Sequence, residues 1–223
     1  MQKKDQIKKI TRKERYNSVI EYFRKTFPEP VTELQYKSAY ELIVAVILSA
    51  QCTDKRVNMI TPAFFSRFPD AEKLASASEQ EVLEIIRSCS YPNNKTKHLI
   101  GMAKILLNEF HNKVPEDIKL LQKLPGVGRK SANVIAAVIY NMPVMPVDTH
   151  VFRVSARLGL TRGAKTPLQA EIQLVKNLPV YMISKTHHWL ILHGRYTCTA
   201  RNPKCGMCGL TNLCKYYQNK LCD

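Results

Sequence analysis

The sequence predicts an all-α protein. Apolar residues recur at a spacing near 3.6 along most of the chain, cap residues stand where those segments begin, and no run alternates apolar and polar residues as a half-buried strand would. With 223 residues, 45% of them hydrophobic, the chain is long enough to bury one large or two modest cores.

The elements follow in order. "ERYNSVIEYFRKTF" places Tyr16, Val19, Ile20, Phe23 and Phe27 on one stripe. "SAYELIVAVILSA" is apolar nearly all round, the pattern of a central buried helix. "SEQEVLEIIRSC" opens with a capping box, Ser78 with Glu81. "NKTKHLIGMAKILLNEF" puts Leu99, Ala103, Leu106, Leu107 and Phe110 on its apolar side. The short amphipathic "EDIKLLQKL" leads into "LPGVGRK" and then into the apolar "SANVIAAVIY". An amphipathic helix is predicted over Val151–Leu158, with Asp148 just before it. "TPLQAEIQLVKN" has Thr166 as N-cap, Pro167 at the first helical position and Gln169 at the capping-box position. "HHWLILHG" ends at Gly194, read as a C-cap. Connections are short and carry Pro or Gly, with no low-complexity linker and no internal repeat.

Charge narrows the function. Thirty-four Lys and Arg against 18 Asp and Glu leave a formal net charge of +16, which favours a polyanionic partner, nucleic acid first. No segment reaches the ~18 apolar residues of a membrane span. The start, "MQKKDQIKKITRKERY", lacks the apolar stretch of a signal peptide, and Asp5 and Glu14 argue against a transit peptide. A reducing, cytoplasmic compartment is expected, where seven cysteines include metal ligands rather than form a disulfide framework.

Four of those cysteines, Cys198, Cys205, Cys208 and Cys214, lie in "CTARNPKCGMCGLTNLC", with the spacing C-x6-C-x2-C-x5-C. Thiolates this close imply a tetrahedral metal or an iron–sulfur cluster. Zinc ribbons usually show two CxxC knuckles and this tail has one, so the spacing leans to [4Fe–4S] and leaves zinc open. Cys52, Cys89 and Cys222 read as core or tail thiols. Arg201 and Lys204 in the loop either grip phosphates or are ordinary solvated charge.

"LPGVGRK" poses a problem of charge. Helix starts favour Asp and Glu, yet here two cations follow a glycine turn. Gly126 and Gly128 let a ligand approach the backbone, and the exposed N–H groups with the helix N-terminus make an anion site. A DNA phosphate fits; a plain helix–helix turn is the alternative. Leu124, Gly126, Val127, Gly128 and Arg129 are the candidate DNA-binding positions of this turn. Lys130 is either a phosphate contact or, as a neutral amine, a nucleophile toward a sugar aldehyde carbon. Asp148 is either an N-cap or a general base.

Together, "LPGVGRKSANVI", "VDTHVFRVSARLGL", "HHWLILHGRYTC", "VILSAQCTDKRVN", "VPED" and the cysteine tail resemble the endonuclease III family of helix–hairpin–helix DNA glycosylases, in order over roughly residues 15–217. The resemblance implies two helical domains with a cleft between them: a six-helix barrel over 32–142 that carries the hairpin, and a domain of 1–31 and 143–223 that holds a [4Fe–4S] cluster on Cys198, Cys205, Cys208 and Cys214. It implies a bifunctional DNA N-glycosylase and AP lyase of base excision repair. Oxidised pyrimidines are removed from double-stranded DNA, and the strand is cut 3′ to the abasic site by β-elimination through a Schiff base on Lys130, assisted by Asp148. Gln51 matches one residue that fills the gap beside the flipped base. Tyr91 stands for the other, in "SYPNNK", where family members often carry a Leu-Tyr-Asn type loop. His150 either touches the DNA backbone or is a surface histidine at a helix start. Ser131 stands where Thr is common, and Cys52 where Ala is usual. The implied partner is duplex DNA with damaged bases or abasic sites, met by a monomer in the cytoplasm and nucleoid. Two rivals remain: a monofunctional adenine glycosylase, which typically lacks the lysine and carries a further C-terminal domain, and a non-enzymatic DNA-binding module with a structural metal.

Overall fold

The computed structural model describes residues 10–220. Cys222 lies outside them, as does Asp5. Twelve α-helices follow one another among the described residues, and no strand occurs there. They are α1 (Arg12–Thr26), α2 (Ala39–Ser49), α3 (Asp54–Arg67), α4 (Ala71–Ala75), α5 (Glu79–Ile86), α6 (Pro92–Phe110), α7 (Ile118–Leu121), α8 (Arg129–Ile139), α9 (Thr149–Leu158), α10 (Pro167–Asn177), α11 (Ile183–Tyr196) and α12 (Lys215–Lys220). No helix there is long and apolar enough to cross a membrane.

The chain divides into two compact units, one of Thr32–Pro146 and one of Met1–Val31 with Val147–Asp223. The division falls after Pro146 rather than after the expected residue 142, because Met142 and Val144 still pack on the core of the first of these units.

In the Thr32–Pro146 unit α2 is the central rod. Leu42 to Leu48 are all buried, so no face of the helix is left for water, as its all-round apolarity requires. Helices α3, α6 and α8 pack around it. The unit carries seven helices where six are expected; two of them, α4 and α7, are only five and four residues long. Ser78 and Glu81 form the predicted capping box of α5. Helix α6 starts earlier than its apolar pattern suggests. Pro92 takes the first helical position, where its fixed φ and missing N–H cost nothing, so most of "SYPNNK" is helix and only Ser90 and Tyr91 form the turn.

In the other unit α1 lays Tyr16, Val19 and Phe23 into the core as predicted. Phe27 is 44% exposed, because the helix has ended and φ has left the helical range; its carbonyl accepts from Trp189 Nε1 at 2.6 Å. Phe23 stacks on Trp189, ring centroids 5.7 Å apart. Arg15 is buried, which no apolar stripe foretells. Its guanidinium donates to the carbonyls of Leu158 and Leu213, the first at the C-terminus of α9, where a cation is favourable.

Two predicted caps change role. Thr166 caps α10 through Gln169 N, but the Gln169 side chain accepts from Lys165 N at 2.7 Å, one residue earlier, so no reciprocal box forms. Gly194 is not a C-cap. Helix α11 runs through it to Tyr196, and a Cβ at Gly194 would stand 2.9 Å from Cβ of His150. The glycine is there for close approach.

Candidate functional site

The Thr32–Pro146 unit positions the glycine turn. Asp117 caps α7 by accepting from Lys119 N and Leu120 N at 2.7 and 3.0 Å. The chain then tightens through Leu124 N to Leu121 O and Val127 N to Leu124 O. Gly126 has φ +80, and a Cβ there would meet His98 at 3.0 Å, so both conformation and space require glycine. Gly128 is the N-cap of α8, with no side-chain cap and nothing within 4 Å of an added Cβ. The first N–H groups of α8 thus start without a side-chain partner from the cap, on the open side of the turn.

Within this turn the candidate residues separate. The side chains of Leu124 and Val127 are buried, at 2% and 4% exposed. They anchor the turn in the core, so a contact from these two positions to a ligand would come from backbone. Arg129 and Lys130 are exposed, in the first turn of α8.

Gln51 and Tyr91 belong to the same unit and are brought together by contacts the sequence does not announce. Both are exposed and both have φ 54, a left-handed conformation that non-glycine residues adopt at a cost. The Ser90 hydroxyl donates to the Gln51 carbonyl at 2.7 Å, joining the two turns. Buried Lys95 donates from Nζ to the Leu48 carbonyl, also at 2.7 Å, and closes the end of α2 that leads to Gln51. Burial lowers the Lys95 pKa, partly offset by the nearby thiols of Cys89 and Cys52.

In the other unit Asp148 is the N-cap of α9. Its Oδ1 accepts from His150 N at 2.9 Å and Val151 N at 2.8 Å. Both bonds fall on one oxygen, which leaves Oδ2 for another partner. His150 is half-buried, seated against Gly194. Arg153, which sequence reasoning missed, stands with Nη2 3.2 Å from His150 Nδ1 and donates to Gly194 O at 2.9 Å and Cys198 O at 3.2 Å. Arg157, one turn on, donates to Thr199 O and Ala200 O and reaches Cys198 Sγ at 3.4 Å, with its guanidinium 4.5 Å from the Tyr216 ring centroid. The signal for both arginines was their i, i+4 spacing on α9. Their targets lie more than 40 residues away.

Cys198, Cys205, Cys208 and Cys214 line one cavity of about 20 Å³ together with Leu158, His193 and Tyr216. Among the described residues no three His, Cys, Asp or Glu side chains are placed to hold a single ion. Four thiols that line one cavity suit a cluster whose irons would each take one sulfur. The electrostatics also suit it. Burial pushes the Cys208 and Cys214 thiols up, and the neighbouring cysteines push them further, an opposition that bound iron cancels. Arg157 brings a positive charge to Cys198, and burial lowers His193, 3.7 Å from Cys208 Sγ, to about 4, which keeps its ring neutral. Arg201 and Lys204 are exposed in the loop that these cysteines bracket.

Residues 44–180 match the model of the HhH-GPD superfamily of base excision DNA repair proteins, and residues 198–214 match the iron–sulfur binding domain of endonuclease III. Endonuclease III of Rickettsia conorii is 46% identical over 203 residues, covering 91% of this chain and 96% of that one. The chain belongs to the endonuclease III family. The Escherichia coli member is 40% identical over 198 residues, covering 89% and 93%. A trapped endonuclease III–DNA covalent intermediate superposes with a TM-score of 0.90 at 37% identity, over 96% of this chain and all of that one. A thermostable thymine-DNA glycosylase shares the fold, with a TM-score of 0.80 at 22% identity over 93% and 97%. This family member is thus an enzyme of the DNA glycosylase class with an iron–sulfur binding tail. Membership removes the reading as a non-enzymatic module, and the tail match displaces zinc in favour of an iron–sulfur cluster.

Proposed function

We propose that this endonuclease III family member is a bifunctional DNA N-glycosylase and AP lyase that removes oxidised pyrimidines from duplex DNA, acting as a monomer on nucleoid DNA in the cytoplasm. The observation that carries the reading is the placement of Lys130. It is an exposed amine in the first turn of α8, directly after a glycine turn with no side-chain cap. The relative solved as a trapped covalent intermediate with DNA supports a covalent route.

The turn amides and Arg129 hold a DNA phosphate. Lys130 Nζ attacks C1′ of the flipped nucleotide, and the base leaves with the electron pair of the glycosidic bond and takes up a proton. The nitrogen loses its protons as the sugar ring opens, closing an imine. The imine acidifies C2′–H, and removal of that proton expels the 3′ phosphate. Water then hydrolyses the imine and restores the lysine. Asp148, through Oδ2, takes a proton from the amine and stabilises positive charge developing on the sugar. Gln51 and Tyr91 fill the space the base leaves, and His150 meets the backbone.

The test is borohydride reduction during turnover. Duplexes that each carry one defined lesion should trap the protein where the lesion is an oxidised pyrimidine. Base release without any trapped complex would leave Lys130 a phosphate contact and favour a monofunctional glycosylase.

The tail thiolates of Cys198, Cys205, Cys208 and Cys214 hold a [4Fe–4S] cluster, which when bound staples the loop that presents Arg201 and Lys204 to phosphates. Anaerobically purified protein should be brown and contain about four irons per chain. Stoichiometric zinc with no visible absorption would exclude the cluster. Replacing Arg201 and Lys204 should weaken binding to every duplex and reduce the salt slope by roughly one unit per lost contact. An unchanged slope would take the loop out of the interface.

Tyr91→Ala should slow cutting of a base lesion by an amount worth about 1–3 kcal/mol, the range for a lost stacking partner. Cutting of an abasic site, already unstacked, should slow less. Equal slowing on both would reduce Tyr91 to a support of its turn.

A further inference from the structure

The turns that carry Gln51 and Tyr91 each hold a cysteine outside the metal tail. Cys52 follows Gln51, and Cys89 stands two residues before Tyr91. The structure fastens these turns together twice. Ser90 Oγ donates to Gln51 O at 2.7 Å, so the residue after one cysteine is bonded to the residue before the other. Lys95 Nζ donates to Leu48 O at 2.7 Å, tying the start of α6 to the end of α2. The Cys89 and Cys52 thiols lie close enough to act on one another's charge. Cys89 is 5% exposed and Cys52 is half-buried, so one thiol is reachable and the other is covered. The Lys95 ammonium stands near both sulfurs, and burial pushes the Cys89 thiol up to about 11. Nothing in the proposed excision chemistry uses this pair.

We propose that Cys52 and Cys89 form a reversible dithiol–disulfide site that takes a low-molecular-weight disulfide as oxidant and, once closed, locks the Gln51 turn to the Tyr91 turn. Cys52, as the thiolate, attacks one sulfur of the oxidant RS–SR. The S–S electron pair leaves with RS⁻, and Cys52 carries the mixed disulfide. Cys89 then gives up its proton, and its thiolate attacks the Cys52 sulfur and expels the second RS⁻. The two protein protons end on two RSH. The protein is oxidised by two electrons, and the oxidant is reduced to two thiols. Two residues already held at φ 54 then lose the freedom to adjust when a base is extruded. The effect on excision rests on the proposed gap-filling role of Gln51 and Tyr91; the crosslink does not.

The experiment uses the protein with its metal tail intact, anaerobic, with oxidised glutathione as probe and cluster absorption followed throughout. Peptide mapping should find residues 52 and 89 in one crosslinked species, lighter by two hydrogens. Base-lesion cutting should fall roughly 10- to 100-fold, the cost of misplacing a positioning group, and abasic-site cutting should fall less. A thiol reductant should restore both. Cys89→Ser should stop at the glutathione adduct on Cys52 and cut lesions normally once that adduct is reduced. Wild-type protein that stops at the adduct, or does not react, overturns the site. A crosslink that leaves base-lesion cutting unchanged overturns the lock. Gln51→Ala and Tyr91→Ala measured alongside separate these results from a failure of the gap-filling role, because only that failure leaves both variants unselective between base lesion and abasic site.

Discussion

Lys130→Gln should bind lesion-containing duplex almost as wild type does, yet neither cut it nor be trapped on it by borohydride. The turn proposed to hold phosphate is built from backbone, from Gly126 at φ +80 to the open Gly128, and the buried Leu124 and Val127 anchor it, so losing the Lys130 side chain leaves it standing. The amide of Gln has no nucleophilic lone pair for an imine. Removing a nucleophile of this kind typically costs at least about 10³-fold in turnover. Binding by gel shift and trapping by denaturing gel separate the two roles of the position. If Lys130→Gln still traps, another amine is the nucleophile. If it loses binding in proportion to cutting, the residue is a phosphate contact.

Asp148→Asn should keep the fold and lose most of the chemistry. Both bonds that cap α9 go to Oδ1, from His150 N at 2.9 Å and Val151 N at 2.8 Å, and an amide oxygen accepts them equally well. What Asn lacks is the charge and the proton affinity, which for a general base or an electrostatic partner amounts to about 10²–10⁴-fold in rate. Asp148→Ala should show the same loss of rate and also lose the cap, at about 1 kcal/mol. For a chain of this size that lowers the melting temperature by about 2–4 °C. Thermal melts and single-turnover rates on both variants decide the matter. Asn at wild-type rate would make Asp148 a cap alone.

The readings that held were local in sequence. Ser78 with Glu81, the cap at Thr166, the glycine turn before α8 and the cysteine spacing each lie within about twenty residues, so short-range rules of capping and ligand spacing reach them. The readings that needed correction were local rules overridden from a distance. Gly194 looks like a helix end, but it sits inside α11 because His150, 44 residues earlier, occupies the space a side chain would need. "SYPNNK" looks like a loop until Pro92 starts α6. Gln169 has the capping-box position, but its side chain finds Lys165 N instead.

By itself the sequence determined the helical class and most of the elements, though not α3 or α4, and it named the candidates for chemistry: an amine after a glycine turn, a carboxylate before a helix, four thiols in a basic tail. Those follow from side-chain period, backbone permissiveness and ligand count, properties that a short window contains. Tertiary structure alone decided how these groups are held. It placed Arg153 and Arg157 of α9 on the backbone around Cys198, Lys95 on Leu48, and Ser90 on Gln51, each bond joining residues about 40 or more positions apart. A buried cation or a left-handed glutamine is unfavourable in any local window, and it becomes stable only when distant chain supplies the carbonyl, the hydroxyl and the exclusion of water.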